Sequence, residues 1–237
     1  MRNDILYIVV IYGIAKEDSH AWQALRECLS DEEMKRDVYV HDNTGHNVYL
    51  AQAYNGGVAY AKAHGYRWIA LFDADACPTG EYVAMVKQTV AREQVDAVWA
   101  PTLVDERGKQ LSPKRHWGIP VAFNSGLLLP VAVLDKVGGF NRNYPLDYLD
   151  YRLCYDLQQQ HISLRRLEVT LTHSLSVEDY SQVSRERYMS VLEAERRFAE
   201  DTGNVWRYRC LLVCRIVKWS LTRHKYIRES MRALMKR

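Results

Sequence analysis

Five cysteines in 237 residues, none of them in a C-x-x-C pair, give this chain neither the thiol spacing of a zinc site nor a disulfide framework. Cys28, Cys77, Cys154, Cys210 and Cys214 fit a reducing compartment, and the last two, one helical turn apart, read as packing residues. No window reaches the roughly 18 uncharged apolar residues that a membrane-spanning helix needs. Arg2-Asn3-Asp4 runs straight into Ile5–Ile11 with no small-residue cleavage site, so no signal peptide is expected. G-x-G-x-x-G and the P-loop pattern are both missing, which removes the two commonest glycine-built nucleotide cradles. Internal repeats, low-complexity linkers and nucleic-acid-binding motifs are missing too, and nucleic acid is not expected as a partner.

What remains is a chain of ordinary composition, 48% hydrophobic, long enough for one domain with an appendage. Its net charge of +3 hides an asymmetry. Residues 204–237 hold ten Lys or Arg against the single acid Glu229, so they carry about +9 and leave the rest near −6. A basic tail on an acidic body implies an anionic partner for the tail.

Ile5–Ile11 is a continuous run of mostly β-branched residues, as in a parallel strand covered on both faces. Asp18 or Ser19 can cap a helix carrying Trp22, Leu25 and Leu29 on one face. Val38–His41 is a second strand, ended by the turn formers Asp42-Asn43-Thr44-Gly45. Asn55-Gly56-Gly57 is expected to open an Ala-rich helix that stops near Gly65. Trp68–Asp73 reads as a buried strand, Thr79 as the cap of the next helix, and residues 95–100 as a further strand. Residues 101–119 are expected to be a long loop, and 121–129 a strand. Val131–Val137 is a short helix closed by Gly138-Gly139, 149–160 is helical, and 162–171 is a last strand. From Arg185 onward only helices are expected. Strands and helices that alternate in this way predict an α/β fold with a mostly parallel central sheet, over residues 1–184, and a helical basic extension over 185–237.

The chemistry gathers at the strand ends. Asp73 and Asp75 close a buried strand at its C-terminal edge, where open α/β sheets bind ligands, and a turning chain can aim both at one hard cation. Asp42 can accept from a nucleobase N–H or a ribose hydroxyl, or simply form an Asx turn. Asn55 and its glycines, placed at a helix start, would favour a close-lying anion. Asp150, at another helix start, is expected to stay ionised in the helix dipole and so to serve as a base; Asp147 lies one turn earlier. His173 can complete a metal site with the two aspartates, or lie on the surface.

Taken in order, Asp42-Asn43-Thr44, Asn55-Gly56-Gly57, Ala59, Phe72 to Asp75, Pro78, Asn124-Ser125-Gly126, Gly138-Gly139-Phe140, Asp147 to Asp150 and His173 resemble the family-2 glycosyltransferases. The nearest look is to the bacterial rhamnosyltransferase and galactofuranosyltransferase branch, over about residues 5–175. The resemblance implies a GT-A fold, a nucleotide-sugar donor, a divalent metal (Mn²⁺ or Mg²⁺) and transfer with inversion. By position it puts Tyr12 and Gly13 against the base and Asp42 on base or ribose. Asp73 and Asp75 fall on the metal- and ribose-binding motif, with His173 as a late metal contact. Asn124 and Ser125 fall on the sugar and acceptor pocket, to which Asp147 is added, and Asp150 falls on the catalytic base. The family's Glu and Arg after the base are replaced by Arg152 and Asp156, whose swapped signs keep the spacing of a helix ion pair.

The resemblance also implies lipid-linked or oligosaccharide acceptors, and with them work at the cytoplasmic face of the plasma membrane. The tail supports this by interleaving Trp206, Tyr208, Leu211, Leu212, Ile216, Val217, Trp219 and Leu221 with cations, as a helix on an anionic bilayer would. Packing on the body or on a second subunit is the other reading. A phosphatase-like hydrolase would place its aspartates after the first strand, and a sugar nucleotidyltransferase would show a Gly-rich loop there; neither is found. A nucleotide- or glycan-binding module without catalysis would need Asp150 and His173 to be structural.

Overall fold

The structure, a computed structural model, describes residues 4–92, 95–173, 183–222 and 224–235. It divides into two compact units, Met1–Ser174 and Leu175–Arg237.

In the first unit the elements run β1 (Ile5–Ile11), α1 (His20–Cys28), α2 (Asp31–Asp37), β2 (Val38–Asp42), α3 (Tyr49–Ala63), β3 (Trp68–Asp73), α4 (Gly80–Ala91) and β4 (Ala97–Val104). Then follow β5 (Gln110–Ser112), β6 (Lys114–His116), β7 (Ile119–Val121), β8 (Leu128–Pro130), α5 (Val131–Val137), α6 (Leu149–Gln159) and β9 (Ser163–Thr172). The central sheet has the order β2-β1-β3-β8-β4-β5, with β9 on β4. β2, β1 and β3 are mutually parallel, as are β4 and β9, while β8 runs antiparallel between β3 and β4. The expected α/β class with a mostly parallel sheet is therefore what the chain adopts.

Every residue of β1 is buried, as its unbroken apolar run requires, because helices cover both faces of the sheet. Ser19 caps α1 by accepting from Trp22 N, Ser30 closes a capping box with Glu33 on α2, and Thr79 caps α4. Gly138 and Gly139 end α5 in the left-handed region, at φ 78° each.

Three expectations fail. First, α3 starts at Tyr49, so Asn55-Gly56-Gly57 lies inside the helix rather than at its N-terminus. Tyr49–Ala53 already continue the helical face, and Gly57 serves packing: a Cβ there would fall 2.6 Å from Ile8 Cδ1 on β1. Second, residues 101–119 are no plain loop. β4 extends to Val104, β5 pairs back on it, and β6–β7 form a separate hairpin. Third, 121–129 is not one strand. β7 ends at Val121, and a turn over 122–127 leads into β8.

The topology decides where the site lies. β1, β2, β3, β4 and β9 point the same way, so Tyr12, Asp42, Asp73 and His173 leave the sheet at one edge. Because β8 runs opposite, the turn that precedes it, with Asn124 and Ser125, reaches that same edge.

The second unit contains α7 (Arg185–Asp201), α8 (Val205–Thr222) and α9 (Ile227–Met235). The basic tail is thus two helices packed against a third, with Tyr188, Leu192, Phe198, Tyr208, Leu212 and Trp219 inside. Arg215 grips the buried Glu195 through two nitrogens at 3.0 Å each. No helix among the described residues is long and apolar enough to cross a membrane.

Candidate active site

Asp73 ends β3 and is fixed by two hydroxyls. The Tyr54 hydroxyl from α3 donates to Oδ1 at 2.9 Å, and Ser125 Oγ donates to Oδ2 at 3.0 Å. Tyr54 is fully buried, and burial pushes its phenol well above its ordinary range, so it remains a donor. Ser125 is delivered by a turn pinned to β3: Gly126 N donates to Leu71 O at 2.7 Å and the Tyr82 hydroxyl donates to Gly126 O. Gly126 has φ +78°, and a Cβ on it would meet Pro101 Cγ at 2.7 Å, so no other residue fits there without displacement.

Asp73, Asp75 and His173 bring one ligand atom each within 4.8 Å of one another. His173 is buried, its backbone tied to Val104 O at 2.9 Å. Its Nδ1 is buried and has no hydrogen-bond partner among the described residues. Burial raises the Asp73 carboxyl, and the neighbouring Asp75 charge adds to this against the pull of the two hydroxyls. Two like charges beside an orphaned imidazole nitrogen are what a bound cation would relieve, and oxygen–oxygen–nitrogen donors suit Mn²⁺. The donor set fits a divalent ion.

Asp150 lies in the first turn of α6, close enough to Asp73 for that charge to act on it, and its Oδ1 accepts from Tyr151 N at 2.9 Å. The expectation that the helix start keeps it ionised is corrected. Burial outweighs the backbone N–H and pushes the carboxyl up to about 7, with the Asp73 charge raising it and Lys114 opposing. A carboxyl near neutrality is better matched to proton abstraction than a fully acidic one. Arg152 and Asp156 form the expected i,i+4 pair, at 2.9 Å.

At the β1 and β2 ends, Gly13 (φ +69°) donates its N–H to Thr44 Oγ1 at 3.0 Å, and Asp42 Oδ1 accepts from Thr44 N at 2.7 Å. Hydrogen bonding from the Thr44 side chain and N–H holds the Asp42 carboxyl below its usual range. Asp42 forms an Asx turn and lines a cavity of about 530 Å³ together with Ile11, Trp22, Met34 and Val40. Tyr12 is 64% exposed, a ring on the open edge.

Asn124 is buried with an Oδ1 that meets no partner among the described residues, and Asp147 is half-buried. Asn55 does a structural job: its Nδ2 donates to Phe140 O at 2.8 Å and its Oδ1 accepts from Phe140 N at 2.9 Å, tying α3 to the loop after α5.

Two participants escaped the sequence. Tyr54 looks like any residue of an apolar helix face, and no local signal separates it. Lys114 and the β6–β7 hairpin did leave one: Trp117-Gly118 is a two-residue connection between short runs, the spacing of a hairpin turn.

No family model matches the chain, and no curated protein matches it. Solved structures do. One is GalNAc-T7 with UDP, GalNAc and Mn²⁺, at 15% identity and TM-score 0.54 over 83% of this chain and 47% of that one. A second is the mannosyltransferase PcManGT from Pyrobaculum calidifontis in complex with GDP-Man and Mn²⁺, at 12% identity and TM-score 0.54 over 83% and 64%. A third is the catalytic domain of Drosophila beta1,4galactosyltransferase 7 in complex with xylobiose, at 14% identity and TM-score 0.50 over 78% of each. This chain spans about half and two thirds of the length of the first two. At such identities the likeness concerns fold alone, and the fold is that of the GT-A glycosyltransferases.

Proposed function

We propose that this protein is an inverting, metal-dependent glycosyltransferase of the family-2 type. It moves a sugar from a dTDP- or UDP-linked donor to a hydroxyl of a glycan or lipid-linked acceptor in bacterial surface polysaccharide synthesis. The observation that carries this reading is the convergence of Asp73, Asp75 and His173 with Asp150 at one sheet edge. Neighbours of the same fold crystallised with UDP or GDP-Man and Mn²⁺ support it.

Asp73, Asp75 and His173 would hold the cation, which when bound neutralises charge that builds on the departing diphosphate. The chain's own residues do the rest. Tyr54 and Ser125 fix the Asp73 carboxylate so that it need not reorient. Tyr12, Gly13 and Asp42 line the end that receives the nucleoside. Asp150 takes the proton of the acceptor hydroxyl as its oxygen bonds to the anomeric carbon. The carbon–oxygen bond to the diphosphate breaks on the opposite face, and the nucleoside diphosphate leaves with the electron pair. One displacement inverts the centre.

The second unit would dock the enzyme on the inner face of the plasma membrane. Along α8, Trp206, Val213, Val217 and Leu221 are exposed and recur at spacings that keep them on one face, with Arg207, Arg209 and Lys218 at its flanks. An apolar stripe bordered by cations complements an anionic bilayer.

The test is thermal stabilisation by UDP- and dTDP-sugars with Mn²⁺ or Mg²⁺, followed by nucleotide release. Metal-dependent stabilisation lost in Asp75→Ala is expected; stabilisation by no nucleotide, or metal-independent stabilisation retained in Asp75→Ala, overturns the reading.

A further inference from the structure

The β6–β7 hairpin turns on two residues, Trp117 and Gly118, both with positive φ, at 50° and 90°. Such turns match the twist of a hairpin, and their first position belongs to Asn, Asp or Gly. A tryptophan there accepts left-handed strain that bulky residues avoid. Tyr148, two residues before Asp150, does the same at φ 60°. The two strained aromatics converge on one cluster. The His116 ring lies 4.3 Å from Trp117, 4.9 Å from Tyr151 and 5.9 Å from Tyr148, and Tyr148 and Tyr151 are 4.6 Å apart. Tyr151 is the residue whose N–H holds Asp150, so the rings begin at the proposed base and extend to the hairpin tip.

We propose that Trp117, His116, Tyr148 and Tyr151 form the acceptor subsite and that its occupant is a sugar ring, so the nucleophilic hydroxyl belongs to a glycosyl residue rather than to a lipid alcohol or a protein side chain. This rests on Asp150 as the base. A sugar has an apolar C–H face that packs on aromatic rings while its hydroxyls remain on the rim, whereas an alkyl alcohol gains no orientation from them. Burial and the Lys114 charge push the His116 imidazole down to about 4, so the wall is uncharged at neutral pH. Lys114 itself sits 4.6 Å from the Phe123 ring and 5.3 Å from the Tyr151 ring, so a cation borders the cluster. Strain spent on the placement of rings is the mark of a site and not of a core.

Trp117→Asn separates the two explanations, because asparagine suits the turn. A core tryptophan would lose stability when replaced; a strained ligand-binding one would gain it. The full-length protein, with Mg²⁺ and UDP or dTDP, is mixed with octyl hexopyranosides and with octanol, and saturation transfer from aromatic protons is recorded. The expected result is transfer to the sugar-ring protons, lost in Trp117→Asn while the melting temperature rises, and a roughly tenfold higher acceptor KM where turnover is measured. A lower melting temperature, equal saturation of octanol, or unchanged saturation in the variant overturns the subsite. Saturation of the sugar ring together with wild-type turnover of a nucleotide-sugar donor in Asp150→Asn would instead overturn Asp150 as the base while leaving the subsite in place.

Discussion

Ser125 Oγ donates to Asp73 Oδ2 at 3.0 Å, across 52 positions of sequence. With Tyr54 on the other oxygen, the carboxylate is oriented from two elements before any ligand arrives. That preorganisation depends on the turn at Gly126, where a Cβ would strike Pro101 and where φ is +78°. Gly126→Ala therefore costs about 2–4 kcal/mol, from left-handed strain plus overpacking. The melting temperature falls by roughly 5–15 °C, and metal-dependent nucleotide binding weakens with it. Calorimetry that finds neither change would detach the turn from the site.

Asp150→Asn abolishes transfer and leaves nucleotide binding nearly intact, as titration with UDP or dTDP and Mn²⁺ will measure. It has a stability signature as well. In the metal-free fold the Asp150 carboxyl is raised to about 7, so the folded state holds a proton that the unfolded chain has released. Asp150 accordingly destabilises the fold progressively as pH rises from about 4 to about 7. The Asn variant lacks that loss, and its melting temperature at pH 8 exceeds that of the wild type.

The same group sets the pH dependence of turnover. A base must be unprotonated, so kcat/KM rises with pH along an acidic limb whose midpoint lies at or below about 7. It lies lower with the cation in place, because the ion offsets the Asp73 charge that raises Asp150. A rate with no acidic limb down to about pH 4, the ordinary carboxylate range, would remove Asp150 from the rate-determining step.

Sedimentation with vesicles rich in anionic lipid tests the α8 stripe. The full-length protein binds them, binds neutral vesicles weakly and is released by salt, while the double variant Val217→Glu, Leu221→Glu loses the interaction. Both side chains are exposed, at 57% and 84%, so neither change should disturb folding. Equal binding by the double variant would refute the stripe.

Much of this was readable beforehand, because β1 and β3 are buried on both faces and announce themselves as apolar runs ending where ligands bind. Ser19, Thr79 and Gly138 marked helix ends for equally local reasons. The failures share a cause, which is that distant contacts decided. Asn55-Gly56-Gly57 has the composition of a helix start, yet its glycine makes room for Ile8 and its asparagine clasps Phe140. Asp150 sits at a helix start, yet burial against other elements outweighs the helix N–H and governs it. Tyr54 became part of the site only when α3 crossed the end of β3.

The central claim is that one divalent ion is held by Asp73, Asp75 and His173 beside Asp150. A crystal grown with Mn²⁺ and UDP or dTDP, measured at the manganese edge, tests it most directly. A single anomalous peak among those three side chains, absent in His173→Ala crystals, is the predicted result. No peak there, or a peak elsewhere on the chain with nucleotide bound, would contradict the account.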